Sequence, residues 1–473
     1  MRLPTWIIIS GAVIGAALVA AAGLLLLAPN RPLLVDASFS LTTITPNADG
    51  DNDVTEFTYE ITENATITLM FENEAGDQFF FRQDEPRAAG ARRVLFSGVV
   101  DGYEQPDEDI AGTVTRRLMP DGDYTWNFSV TSEGGEVAQQ TGTLMLTDGD
   151  TQLPTITEFT ILPRVFTPNQ DGIDDRVNVN VVLGKQSELS VYLVDEDEER
   201  SYMPRLDAGR DPGEAGRHTF DYDGGVTGGA DPPDNGLYTV VAQAQDDVGQ
   251  VIRRESTLEI AQGGVPFAEI VGQENSATVA FVPQPYDARF YSDEDTQGDL
   301  VTLPDSPEVF NELPVTLEVD EEMLVFRLTV TNYGQSPIRT TAGPWPGTVY
   351  QQRQNRASFG AYDESGAWRV GLQCETSTES YPWRWSVGTP EDLREVVDPV
   401  NDNVYYYLDP GESAVVWGAV RMTEVIPTAN PQTCWAGLIH EDVGISVVNR
   451  DVGRREVEVL GDPLEEVRIE TDG

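Results

Sequence analysis

The chain has 473 residues, long enough for about three separately cored domains, and its 40% hydrophobic and 9% aromatic content with 43 glycines and 30 prolines suits a globular protein of many short strands and turns. Acidic residues outnumber basic ones 80 to 30, for a formal net charge of −50. That balance excludes nucleic acid as a partner, because no basic stripe exists to release counterions from phosphate. Instead, such a surface attracts divalent cations and basic proteins, or serves only as a solvated, self-repelling exterior. With one lysine, Lys185, and two histidines, His218 and His440, none in a recognisable motif, a histidine triad, a Schiff base or a histidine-rich zinc site has almost no material. Carboxylate-based glycan chemistry stays open only because Asp and Glu are everywhere.

Trp6 to Ala28 is an uncharged apolar run between Arg2 and Arg31. As a helix it spans about 34 Å, enough for a hydrocarbon core of roughly 30 Å, and it is longer than the ~7–15 residues of a signal-peptide core. Residues 1–34 are therefore expected to be an uncleaved signal anchor, a single transmembrane helix; cleavage near Ala20–Ala22 is the alternative. The arginine and amine of the short head favour a cytoplasmic amino terminus, with the bulk of the chain extracytoplasmic. Cys374 and Cys434 suit that compartment as one disulfide, against the alternative of two buried thiols.

The next feature is an internal repeat. TPNADGDND from Thr45 recurs as TPNQDGIDD from Thr167, an offset of 122, and the apolar phase continues beyond the turn: Phe57, Tyr59 and Ile61 match Val179, Val181 and Leu183. Near the end of each copy, PDGDYTW around Tyr124 matches PDNGLYT around Tyr238 at an offset of 114. Period-two alternation marks half-buried strands, so two all-β sandwich modules are expected, over 35–150 and 153–263. The change of offset is assigned to surface loops in the middle of the repeat, at DGYEQPDEDIAG and RLDAGRDPGEAGRH.

Asn47, Asp49, Asp51 and Asp53 in the first turn, and Asn169, Asp171, Asp174 and Asp175 in the second, set oxygen side chains around a glycine, as a calcium ion of six to eight ligands requires. The spacing is not that of an EF-hand, with glycine fourth from the asparagine and no fixed glutamate. The competing reading is purely structural: Asp and Asn bond their own backbone while Gly50 and Gly172 supply a positive φ.

The TPNxDGxxD turn with its paired strands and downstream Gly-x-Tyr resembles the Ig-like module of the flagellar hook-capping protein family. It is also similar to the SPNGDGxND modules of gliding-associated surface proteins. The resemblance implies tandem Ig-like sandwiches with a scaffolding or surface-presentation role and no catalysis. It departs at FDYDGG, Phe220 to Gly225, where the family's hairpin carries a tryptophan.

A third domain is expected over 265–460, followed by a polar tail over 461–473. VFRLTVTNYGQSPI (Val325 to Ile338) and YYYLDPGESAVVWGAV (Tyr405 to Val420) each read as two strands about a turn. They weakly resemble corners of Ig-type sandwiches, including bacterial protease-inhibitor-like modules. Insertions are expected in Pro283 to Leu313 and Trp345 to Val400. Six of the eight tryptophans fall in this domain. Trp383, Arg384 and Trp385 in SYPWRWS make the candidate ligand platform, stiffened by the nearby Cys374; the alternative is that the rings are ordinary core.

Together these features suggest a membrane-anchored, non-catalytic scaffold whose third domain binds an extracytoplasmic protein or glycan, with calcium as the one candidate cofactor. The alternatives are a carboxylate-based glycan-acting enzyme or a protease inhibitor seated in the third domain.

Overall fold

The computed structural model describes residues 32–105, 108–206, 211–272, 277–286, 313–398 and 401–461. Nearly all of the anchor expected over 1–34 and of the tail over 461–473, and residues 287–312 of the expected insertion, lie outside them. Among the described residues no helix is long and apolar enough to cross a membrane, and regular structure consists of strands and short 3-10 turns. The described residues are all-β, as composition and alternation predict.

Module 1 faces a three-stranded sheet (Leu34–Phe39, Thr55–Ile61, Gly90–Phe96) against a five-stranded one (Thr43–Ile44, Val137–Leu146, Gly122–Ser132, Ala65–Asn73, Gln78–Arg87). Alternate residues point inward: Phe57, Tyr59 and Ile61 on one sheet, and Ile67, Leu69, Phe71, Trp126 and Phe128 on the other. Gly142 lies opposite Trp126 across the ladder, where a β-carbon would overlap the indole. Burying these apolar faces stabilises the module at about 25 cal/mol per Å² removed from water.

Module 2 repeats this plan strand for strand. Ile156–Leu162, Val177–Leu183 and Gly216–Tyr222 form its three-stranded sheet, and Glu188–Val194, Gly236–Gln245 and Val251–Ile260 the core of the other. In both modules a two-residue strand after the first long one pairs in parallel with the last strand, Thr43 with Met145 and Val165 with Glu259. The register also exposes a third offset. Gly90–Phe96 is equivalent to Gly216–Tyr222, 126 residues apart, each pairing with the strand after the acidic turn. Module 2 therefore gains four residues before that strand and lacks 12 after it, relative to module 1.

The loop expected at DGYEQPDEDIAG joins two strands that alternation did not single out: Val99–Asp101 and Thr113–Leu118 form a hairpin around it, and Thr113–Leu118 pairs antiparallel with Val251–Ile260 of module 2, Val251 opposite Arg116 and Arg253 opposite Thr113. A strand of one module thus extends the sheet of the next. Ile110 of the same segment packs against the core of module 2, and Val248 of module 2 packs into the core of module 1.

The third domain is a larger two-sheet sandwich. Glu322–Asn332 and Ser413–Arg421 are central to one sheet, and Trp368–Cys374 and Gln432–His440 to the other. The two strand pairs expected around turns are present, but each turn carries the chain from one sheet to the other: Glu322–Asn332 to Ile338–Thr340, and Val404–Leu408 to Ser413–Arg421. Asn332, fully buried, ties both corners by donating to the carbonyls of Ser336 and Leu408. Cys374 and Cys434 face each other across adjacent strands and are joined as a disulfide.

Candidate functional site

The two acidic turns have the same internal construction. In each, three positions have left-handed backbone: Ala48, Gly50 and Asn52 in the first, Gln170, Gly172 and Asp174 in the second. Alternating left-handed residues curl successive N–H groups into a concave nest that suits an anion. The anion is the turn's own last aspartate. Asp53 accepts from the amides of Asn47 (3.0 Å), Ala48 (2.7 Å) and Gly50 (2.7 Å). Asp175 accepts from those of Asn169 (3.2 Å), Asp171 (3.2 Å) and Gly172 (2.5 Å). The Asn47 side-chain oxygen accepts from the Asp49 amide, and an Asp49 oxygen accepts from the Asp51 amide; Asn169 and Asp171 do the same for Asp171 and Ile173.

These bonds spend the carboxylates on backbone donors. A cation would need them turned outward, and among the described residues no group of three or more His, Cys, Asp or Glu is arranged to hold one. Burial raises the Asp53 carboxyl, but the four amides of residues 47–50 together outweigh it and hold the group below its ordinary value. At Asp175 the deeper burial wins over the same four bonds and the carboxyl is pushed up.

The settings of the two turns differ. The first is exposed from Ala48 to Asn52. The second is the contact surface for the third domain. Arg339 donates through Nε to the Asp171 carbonyl (2.6 Å) and through Nη2 to the Ser365 carbonyl (2.7 Å), and pairs through Nη1 with Glu364 (3.1 Å). Tyr407 donates its hydroxyl to the Asp171 carboxylate (3.1 Å), and His440 donates Nε2–H to the Gln170 carbonyl (2.7 Å). Trp368 stacks on the His440 ring, with centroids 4.4 Å apart. Gly172 and Gly366 meet so closely that a β-carbon on either would overlap the other loop's backbone.

Burial at this contact, with the charge of Asp175, raises the Asp171 carboxyl to about 6, despite the Ile173 amide, Arg339 and Tyr407. Burial lowers His440 to about 4. Asp174, whose backbone helps shape the nest, has its carboxyl raised by burial and by Asp398 across the junction.

The other junction uses different groups. Gln250 is buried where modules 1 and 2 meet: its oxygen accepts from the Leu118 amide (3.2 Å), and its nitrogen reaches the carbonyls of Asp150 and Gln152 (both 3.1 Å) and the Asp246 carboxylate (2.9 Å). Lys185 pairs with Asp150 (2.8 Å) and Asp246 (2.7 Å). Sequence reasoning singled out Lys185 and His440 only as scarce catalytic material; both are junction residues. His218 donates Nε2–H to the Glu214 carbonyl (2.7 Å).

The aromatic platform is corrected. Trp383 and Trp385 share a strand face, as alternation implies, but the face points inward: they are 2% and 0% exposed. Trp385 donates its indole N–H to the Thr348 carbonyl (3.0 Å) and packs edge-on to Phe326 and Tyr350. Gly418 supplies the space, since a β-carbon there would overlap the indole. Arg384 lies on the opposite face, bonded to Glu441 (2.6 Å) and Asp363 (3.3 Å). Asp363 also pairs with Arg356, and Glu441 lies 3.5 Å from Arg369, whose side chain is fully buried. The strand whose solvent face looked like a ligand surface is therefore the core of its domain, and its arginine belongs to an internal ion-pair network.

No family model matches the chain, and no curated protein matches it. Solved structures with some likeness include a calcium-stabilised adhesin with which an Antarctic bacterium binds ice, at 10% identity over 90% of this chain and 76% of that one, TM-score 0.21. Another is the E. coli α2-macroglobulin, at 13% identity over 92% of this chain and 23% of that one, TM-score 0.18. A tandem-repeat fragment from the extending region of a large adhesion protein shares 10% identity over 89% of this chain and 90% of that one, TM-score 0.16. Scores this low carry no argument about what the present chain does.

Proposed function

We propose that the chain is a non-catalytic extracytoplasmic scaffold, held to a membrane by its amino-terminal apolar segment. Its two Ig-like modules, of the surface-protein type named above, act as a stalk that presents the third domain to an extracytoplasmic protein or glycan. One observation carries the reading: both junctions are directional and buried. Domains joined by small polar contacts move independently by default. Here a strand of module 1 lies in the sheet of module 2, and the second acidic turn is clasped by Arg339, Tyr407 and His440. Such contacts suit an element that transmits position. The net charge of −50 keeps neighbouring stalks apart, and the three residues a conventional mechanism would draw on, Lys185, His218 and His440, are each engaged structurally.

Spin labels at Leu95→Cys and Val447→Cys, both exposed positions on the first and third domains, test the stalk in the full chain. One narrow distance distribution is expected, and a broad one would reject it. A membrane-impermeant thiol reagent should label Val447→Cys in intact cells; labelling only after lysis would remove the extracytoplasmic placement. Glycan turnover abolished by a single Asp or Glu substitution in the third domain would replace the scaffold with an enzyme.

A further inference from the structure

The two acidic turns are one object in two settings, and what the second uses for docking, the first retains unused. The backbone agrees at each left-handed position, and the internal bonds largely recur: Thr45 Oγ1 to the Asp51 carbonyl at 2.7 Å and Thr167 Oγ1 to the Ile173 carbonyl at 2.7 Å, the one difference being that Asp53 accepts from the Ala48 amide where Asp175 accepts from that of Asp171. In module 2 the outer edge is consumed by the Asp171 carboxylate, the Asp171 and Gln170 carbonyls, and the bare Cα of Gly172. The equivalents in module 1 are the Asp49 carboxylate, the Asp49 and Ala48 carbonyls, and Gly50. All three residues are exposed, no bond from outside the turn reaches them among the described residues, and Gly50 has open space where Gly172 meets Ser365. Module 2 does not cover this edge, because the first junction is made instead by the Thr113–Leu118 strand, Gln250 and Lys185.

We propose that the first acidic turn, Thr45 to Asp53, is a docking surface for a second β-sandwich domain that offers an open arginine–tyrosine cradle of the kind the third domain closes over the second turn. The partner's chemistry follows from the occupied copy. A guanidinium donates to the carbonyl of residue 49, a phenol to its carboxylate, and an N–H to the carbonyl of residue 48, while a backbone carbonyl lies flat over Gly50. A cationic, aromatic face also complements the charge of this chain. The inference does not depend on the third domain binding protein or glycan.

The chain contains its own probe. Gly172→Asn keeps a residue that tolerates the left-handed backbone but places a side chain against the Ser365 carbonyl, which empties the cradle without dismantling the turn. Each such chain then has one free turn and one vacant cradle on different domains, a head-to-tail pairing that does not close as a dimer. In sedimentation velocity the wild type is expected to stay monomeric. The Gly172→Asn chain should at least double its weight-average mass as concentration rises through the micromolar range, passing beyond dimer. Gly50→Asn or Asp49→Lys added to that chain should restore the monomer, and so should Arg339→Ala. Asp171→Lys, which sets a cation against Arg339, is the second way to empty the cradle if Gly172→Asn costs module 2 its cooperative unfolding. Chains that stay monomeric with an empty, folded cradle, or association that persists in the Gly50→Asn background, would overturn the proposal.

Discussion

Module 1 joins module 2 by sharing a strand, whereas module 2 joins the third domain by inserting a turn, although both modules carry the same turn at the same end. The strand-sharing junction is made largely of backbone pairing and a neutral glutamine, with one lysine and two carboxylates alongside. The turn-insertion junction concentrates charge: Asp171 and Arg339 are both buried there, with Asp174, Asp175 and Asp398 close by. The difference teaches that a repeated motif need not have a repeated role. Twelve additional residues in module 1 supply a different connector and leave its turn free.

The sharpest way to break the comparison is Arg339→Ala. It removes the donor to two carbonyls and leaves the Asp171 carboxylate buried beside Asp175, so a loss of about 3–5 kcal/mol is expected, seen in denaturant as the third domain unfolding apart from module 2. The first junction should be untouched, and a coincident shift of module 1 would mean the junctions are coupled.

Acidification should separate two opposing contributions at the second junction, each on the order of 3 kcal/mol. Asp171 titrates near 6 in the docked fold, above its ordinary 3.8, so as pH falls through this window the docked state takes up a proton first and docking strengthens. His440 titrates near 4, below its ordinary 6.5, so the separated state takes up the proton first and docking weakens. The wild type should therefore respond less steeply than a junction carrying only one of the two groups, with the raised carboxyl of Asp174 adding to the Asp171 side. Asp171→Asn should loosen on acidification and His440→Gln should tighten, by stability measured at pH 7 and pH 5; like behaviour of both variants would discard the assignment.

At the first junction, Lys185→Met is expected to cost about 2 kcal/mol. Asp246 loses its cation but keeps bonds from the Gly249 and Gln250 amides and the Gln250 side chain, which limit the penalty of the buried charge. A cost equal to that of Arg339→Ala would mean the two junctions are alike after all. The smallest effect is expected from calcium. At about 1 mM it should move the unfolding midpoint by less than about 1 °C, because backbone amides already occupy Asp53 and Asp175. A rise near 10 °C, lost in Asp49→Asn and Asp171→Asn, is what mass action gives for two sites of roughly 10 μM affinity and would restore the cation reading.

The strands of both modules and the self-bonded turn were legible because alternation and turn chemistry are local. The shared hairpin was not. Thr113–Leu118 pairs with residues more than 130 positions away, and its weak alternation says nothing about which sheet it joins. Trp383 and Trp385 were legible as sharing a face, but the direction of that face depends on Gly418, Phe326 and Tyr350, which the fold brings together from distant strands. The docking role of Asp171 was hidden for the same reason: the differences around it, Gln170, Ile173 and Asp174 for Ala48, Asp51 and Asn52, do not signal a partner, and the distinction lies in Arg339 and Tyr407.

The borrowed strand also bears on how the chain is made. Without Thr113–Leu118, the stretch Val251–Arg253 would be an open sheet edge, a template for pairing with a neighbouring molecule. Synthesis from the amino terminus completes the hairpin well over a hundred residues before that edge leaves the ribosome, so the cover is ready before the edge it protects. Module 2 released alone, or moved ahead of module 1, would lose that protection, and the order of the two modules along the chain is itself a safeguard against aggregation.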